Sequence, residues 1–154
     1  MGLLTEMIHR AYAPLAAQGL HYWATHQSVE DTIERCGQGE TWVAEIDRRL
    51  VGTITLSPPE RPGGAPWYDR PDVAKFNQFC VDPSAQGAGV GRGLMDRVES
   101  RAAELGARHL GCDTSEQALG LIALYERRGY VFVENVDWRP DVNYLSVILS
   151  LELG

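Results

Sequence analysis

Apolar residues recur at Leu4, Met7, Ile8, Ala11, Tyr12 and Leu15, a spacing of three and four that places them on one face of a helix. Pro14 is set to end that helix or to fall in its last turn. Ser28-Val29-Glu30-Asp31 has the Ser-x-x-acid form of a capping box, and Val29, Thr32, Ile33 and Cys36 follow at helical spacing before Gly37. A second, short helix is predicted there. Thr41 to Ile46 and Leu50 to Leu56 are rich in β-formers and are parted by Asp47-Arg48-Arg49, the pattern of a hairpin.

Ser57 to Ala74 breaks the pattern with five prolines and two adjacent glycines, and an irregular excursion is expected. Strand character returns from Lys75 to Val81 and stops at Asp82-Pro83, where proline removes a ladder donor. A glycine-rich loop follows. Beyond it Leu94, Met95, Val98, Ala102 and Leu105 share a helical face closed by Gly106. His109 to Asp113 predicts a strand, Gln117 to Arg128 an apolar helix closed by Gly129, and Tyr130 to Val136 and Tyr144 to Leu151 two further strands. Two helices followed by strands alternating with helices predict an α/β fold, a mixed sheet with helices on both faces. Residues 1–154 are expected to form a single domain, and no internal repeat is present.

Composition narrows the partners. The formal charge of -7, with Lys75 the only lysine, argues against a nucleic-acid or anionic-membrane surface, which needs clustered cations. No apolar run approaches the length of a membrane span, and the start lacks the basic and apolar regions of a signal peptide. Cys36, Cys80 and Cys112 are odd in number, far apart and without a histidine at metal-ligand spacing. Reduced thiols, a cytoplasmic location and no metal are the expectation.

The candidate chemistry lies in Gln86-Gly87-Ala88-Gly89-Val90-Gly91-Arg92. Glycines at alternate positions between a strand and a helix let backbone N–H groups point into one concavity, and the helix adds the positive end of its dipole. An anion is the expected occupant. A P-loop would need Gly-Lys-Ser/Thr, but Gly91 is followed by Arg92-Gly93. A dinucleotide fingerprint would need a third glycine where Leu94 or Arg92 stands.

Gln86-x-x-Gly89-x-Gly91 after a strand ending Val81-Asp82-Pro83 resembles the acetyl-coenzyme A signature of the GNAT superfamily of N-acetyltransferases. Ile122 to Tyr130, with Tyr125-Glu126-x-x-Gly129-Tyr130 at its end, is similar to that family's second signature, and the likeness extends from about Gln38 to the C-terminus. The resemblance implies the acyl-CoA N-acyltransferase fold, a mixed, mostly antiparallel sheet flanked by helices, with acetyl-CoA as cosubstrate. It implies transfer to a small-molecule or peptide amine in a ternary complex. Backbone groups of Phe79, Cys80 and Val81 would run beside the pantetheine, with the strands Lys75 to Val81 and His109 to Asp113 splayed to admit it. The amides of Gln86, Gly87, Ala88, Gly89, Val90, Gly91 and Arg92 would take the pyrophosphate. Tyr125 would protonate the departing thiolate, and the Val81 N–H would face the carbonyl oxygen.

Three departures from the family pattern stand out. The strand before the loop, Lys75-Phe76-Asn77-Gln78-Phe79-Cys80-Val81, contains no carboxylate. Water relayed through Asn77 or Gln78, or a base elsewhere such as Glu45, His21 or His26, remains open. Ala118 occupies the position of a pantetheine-binding Asn, for which Gln117 or Ser115 could substitute. The first strand is absent, leaving its neighbour with a free edge that a second copy could cover. Tyr12, Tyr22, Trp23, Trp67, Tyr68 and Trp138 are candidates for an acceptor wall. Cys80 is expected to be a small buried hydrophobe. The alternative function is a cofactor-binding sensor that has lost catalysis.

Overall fold

The computed structural model describes residues 1–59 and 64–154, so part of the excursion, including Pro62 and Gly63, lies outside the described residues. Helix α1 spans Gly2–Ala17 and carries Pro14 within its last turn. Met7 and Ile8 on its inner face are fully buried and pack with Leu4, Ala24 and Cys80. A single helical turn, α2 (Trp23–His26), was not legible in the sequence, being too short to set up a periodicity.

Helix α3 (Val29–Cys36) begins with the expected capping box: Ser28 Oγ accepts from the Asp31 N–H at 3.0 Å, and Asp31 Oδ2 accepts from the Ser28 N–H at 2.8 Å. Its packing face differs from the expected one. Val29 and Ile33 are exposed, and the buried residue is Thr32, whose hydroxyl pairs with that of Thr5 on α1 at 2.7 Å.

Strands β1 (Glu40–Ile46) and β2 (Arg49–Ser57) form the predicted hairpin. Arg49 belongs to β2, so the turn is the two-residue Asp47-Arg48, both at positive φ (51° and 65°). That left-handed pair matches the right-handed twist of the flanking strands. The excursion is anchored on the sheet rather than loose: Ala65 and Tyr68 are buried against Val73 and Ile148.

Strand β3 (Val73–Val81) leads through a 3-10 turn at Pro83–Ala85 to α4 (Val90–Glu104). Then come β4 (His109–Ser115), α5 (Leu119–Arg127), β5 (Val131–Val136) and β6 (Ser146–Glu152). Helix α5 is shorter than expected, with Gln117 and Ala118 before it, while Gly106 and Gly129 close α4 and α5 at φ 85° and 98°.

The six strands form one sheet in the order β1-β2-β3-β4-β6-β5, antiparallel except for β3 and β4. The residues of α4 and α5 bury Leu94, Met95, Val98 and Tyr125 against Ile54, Phe76, Leu110 and Leu149. The opposite face is covered by α1 and α2. Among the described residues β1 has no strand beyond it, the free edge expected when the chain opens with a helix.

Between β2 and β3 the register runs Thr53↔Cys80 and then Thr55↔Asn77. Ile54 therefore stands opposite both Gln78 and Phe79, a β-bulge, with Gln78 at φ 55°.

Candidate active site

The site originates where two strands stop pairing. Strands β3 and β4 are in register only at Val73↔His109, Ala74↔Leu110 and Lys75↔Gly111, and the rest of each strand lies apart from the other. A cleft of about 1090 Å³ opens there, reached by residues of both strands, the glycine loop, α5 and the helices of the other face. The Asp82 N–H donates to the Val51 carbonyl at 2.7 Å, so alternation along β3 turns the Val81 N–H away from β2 and toward the gap. The same alternation aims the polar groups of Phe79 into the gap, where the Tyr12 hydroxyl donates to the Phe79 carbonyl at 2.8 Å.

A buried polar network fixes the bulge. Gln27 Nε2 donates to Gln78 Oε1 at 2.7 Å and to Thr32 Oγ1 at 2.8 Å, and Arg35 Nη1 donates to Gln27 Oε1 at 2.7 Å. Gln78 Nε2 donates to Thr55 Oγ1 and to Cys36 Sγ. Fully engaged in this way, Gln78 holds strained backbone in place and is not a proton relay. Asn77 differs, because its Oδ1 is buried with no partner among the described residues while the side chain lines the cleft.

The glycine loop has the conformation its composition calls for. Gly87 and Gly89 take φ 87° and 83°, and Gly89 is the N-cap of the fifteen-residue α4. The N–H groups of Gln86 and Ala88 are spent on Pro83 O and Ala85 O, leaving those of Gly87, Gly89, Val90, Gly91 and Arg92 without an acceptor among the described residues. Five free amides at a helix N-terminus fit a pyrophosphate. The loop entrance is pinned by Asp82, which accepts from the Ser84 N–H at 3.0 Å and from Arg10 Nε at 3.1 Å, with Arg49 Nη2 at 3.6 Å. Burial pulls the Asp82 carboxyl upward, but the Ser84 and Arg10 donors outweigh it and hold it at about 2.

Tyr125 lines the cleft beside Phe76 and Tyr130, with ring centroids 5.9 and 5.8 Å away. Burial first, then the neighbouring Cys112, pushes its phenol well above the ordinary tyrosine range, so it stays protonated. The Cys80 thiol is pushed up to about 12 by burial, which removes it as a nucleophile.

Several candidates lie elsewhere. Glu45 sits on the edge strand β1, the His21 backbone is tied to Asn143, His26 leans on Thr25, and none of the three lines the cleft. Trp67 packs edge-on to His109, and Tyr68 is buried with its hydroxyl on Asp113, so neither forms an acceptor wall. Ser115 Oγ accepts from the Gln117 N–H in the turn before α5, and neither residue lines the cleft. Tyr12, Tyr22, Trp23 and Trp138 do line it, joined by Tyr144, whose ring stands 4.7 Å from that of Tyr22. Tyr144 and Arg35 were missed. Tyr144 falls at the start of a predicted strand, and Arg35 lies in a short predicted helix with no motif around it to mark it.

A sheet parted between its two parallel strands, beside free amides at a helix start, offers a cleft with a place for an anion at its mouth. The chain belongs to the Acetyltransferase (GNAT) family, whose sequence profile matches residues 5–130. That match reaches well before Gln38 and takes in α1 to α3. The S-(2-succino)cysteine N-acetyltransferase of Bacillus subtilis (strain 168) is 30% identical over 133 residues, covering 83% of this chain and 76% of that protein. The S-alkylcysteine N-acetyltransferase of the same organism is 26% identical, covering 82% and 71%. A GNAT acetyltransferase from Elizabethkingia anophelis with acetyl-CoA bound has the same fold, with a TM-score of 0.65 at 18% identity over 82% of this chain and 84% of that one. The chain is accordingly an acetyl-CoA-dependent N-acetyltransferase.

Proposed function

We propose that the chain, as one domain over residues 1–154, transfers an acetyl group directly to the primary amine of a small molecule held in the same cleft. The single observation that carries this reading is the parting of β3 and β4 after three residue pairs, which puts the Phe79 to Val81 backbone, Tyr125 and the aromatic wall around one space. When bound, acetyl-CoA supplies a thioester whose carbonyl carbon an amine can attack. The amides of Gly87, Gly89, Val90, Gly91 and Arg92 take the pyrophosphate, with Gln86 and Ala88 shaping the loop around them.

Val81 donates its N–H to the carbonyl oxygen as charge builds there, a preorganised donor that needs no reorganisation. Phe79 and Cys80 flank it along the arm. As the new N–C bond forms and the C–S bond breaks, the Tyr125 O–H delivers a proton to the sulfur. The proton lost by the amine passes to water held at Asn77 Oδ1, a buried acceptor with no partner among the described residues. The names of the two curated relatives make S-substituted cysteines the first acceptors to try.

A thiol-release assay over S-substituted cysteines, other amino acids, polyamines and peptide N-termini tests this reading. Release that requires acetyl-CoA and one of these amines is the expected result. The second reading, a sensor that binds acetyl-CoA without transfer, draws on the absence of a carboxylate from β3. Tight binding with no release across the panel would favour it. We further place the protein in a reducing compartment, the cytoplasm, on the strength of its three free cysteines, and propose that the β1 edge joins a second copy. Light scattering reads out that dimer.

A further inference from the structure

The Arg35 guanidinium is unfinished. It lies on α3, half-buried, and lines the cleft, yet its one hydrogen bond among the described residues is from Nη1 to Gln27 Oε1. No carboxylate stands within ion-pair distance of it among the described residues. A guanidinium carries five donors in a fork that matches a carboxylate, and a cation removed from water without a counter-ion is costly. Burial accordingly pulls its affinity for the proton down.

Among the described residues four acids line the cleft, Asp31, Glu34, Asp113 and Asp141, and none is within ion-pair distance of Arg35. Asp113 spends one oxygen on the Tyr68 hydroxyl at 2.7 Å and the other on Trp138 Nε1 at 3.0 Å. Asp31 is held by the backbone of its own capping box. Tyr12 of the aromatic wall, with Asp113 and Asp31, shares the cleft with Arg35 and lies near enough to act on its charge.

We propose that Arg35 is the carboxylate anchor of the acceptor subsite, and that the acceptor class is an α-amino acid bearing a free carboxylate, not a simple amine or a peptide N-terminus. This rests on the transferase reading above. Gln27 gives the anchor a second consequence. Its amide bonds both Arg35 and Gln78, so a carboxylate at Arg35 settles the same network that fixes the β3 bulge.

The test uses matched pairs that differ only by the carboxyl group: S-methylcysteine against 2-(methylthio)ethylamine, and methionine against 3-(methylthio)propylamine. Thiol release is measured for the full chain and for Arg35→Gln and Arg35→Lys. Acetyl-CoA affinity by calorimetry reports that each variant is folded. The expected result is a wild-type kcat/KM for the carboxylate member about 100-fold above its partner, carried mainly by KM. In Arg35→Gln that ratio falls toward one, and Arg35→Lys restores part of it. Equal use of both members by the wild type, or a ratio unchanged in Arg35→Gln, overturns the anchor while leaving the transferase reading intact. If no amine supports release, calorimetry of S-methylcysteine with coenzyme A present decides separately. Binding lost in Arg35→Gln keeps the anchor, and equal or absent binding in both proteins overturns it.

Discussion

The Tyr12 hydroxyl donates a 2.8 Å hydrogen bond to the Phe79 carbonyl, joining the first helix of the chain to the bulge that shapes the cleft. Tyr12 is held protonated there by burial, so the bond persists across the working pH range. Tyr12→Phe leaves that carbonyl without its partner. A loss of about 1–3 kcal/mol in stability by urea titration is expected, together with a lower kcat. An unchanged kcat would mean that the bulge does not depend on this bond.

Tyr125→Phe removes the proposed proton donor and little else, since the ring keeps its contacts with Phe76 and Tyr130. We expect kcat to fall about 100-fold, the scale of general acid catalysis, with the acetyl-CoA dissociation constant unchanged. Because burial raises this phenol well above the ordinary value of 10.0, wild-type activity should show no alkaline fall caused by Tyr125 up to that pH. Equal turnover of the two proteins would remove Tyr125 from the chemistry.

Gly89 combines φ 83° with the N-cap of α4. An added Cβ there meets nothing within 4 Å among the described residues beyond its chain neighbours, so the effect of Gly89→Ala isolates backbone strain, about 1–2 kcal/mol. Calorimetry should show acetyl-CoA binding weakened by about tenfold as the loop relaxes. Gly120→Ala, in an open position on α5 at ordinary φ, is the control and should leave binding alone.

Asp82 supplies a pH dependence of stability. Its carboxyl sits at about 2 when folded, below its ordinary 3.8, so its contribution is complete above about 3.8 and is lost as pH falls toward 2. Thermal melts of the wild type should fall across that window. The fall should be shallower in Asp82→Asn, and identical curves would assign the acid sensitivity to other carboxylates.

What the sequence disclosed depended on whether a residue type betrays its own geometry. Ser28 and Asp31 announce a capping box, and Gly87 and Gly89 announce positive φ, because few other residues suit those places. Gln78 also lies at positive φ, yet glutamine gives no hint of it, since the surrounding bonds from Gln27 and to Thr55 impose that backbone. The cleft lining was half legible for a related reason. Aromatic residues mark themselves as candidates, but only the tertiary fold separates Trp138, which lines the cleft, from Trp67, which packs on His109. Arg35 was hidden because what sets it apart is that no carboxylate among the described residues pairs with it, which no string of residues can display.

The three residue pairs between β3 and β4 make the sheet two three-stranded halves fastened along a short seam. A cofactor held in the seam, as proposed above, would take up backbone groups that a longer strand pairing would have used, so that a small molecule stands in for missing rungs. Ligation and sheet cohesion thus become one quantity. The amides of Phe79 and Val81 should then exchange with solvent quickly in the free protein and slowly in the loaded one, while that of Cys80, turned to β2, stays protected in both.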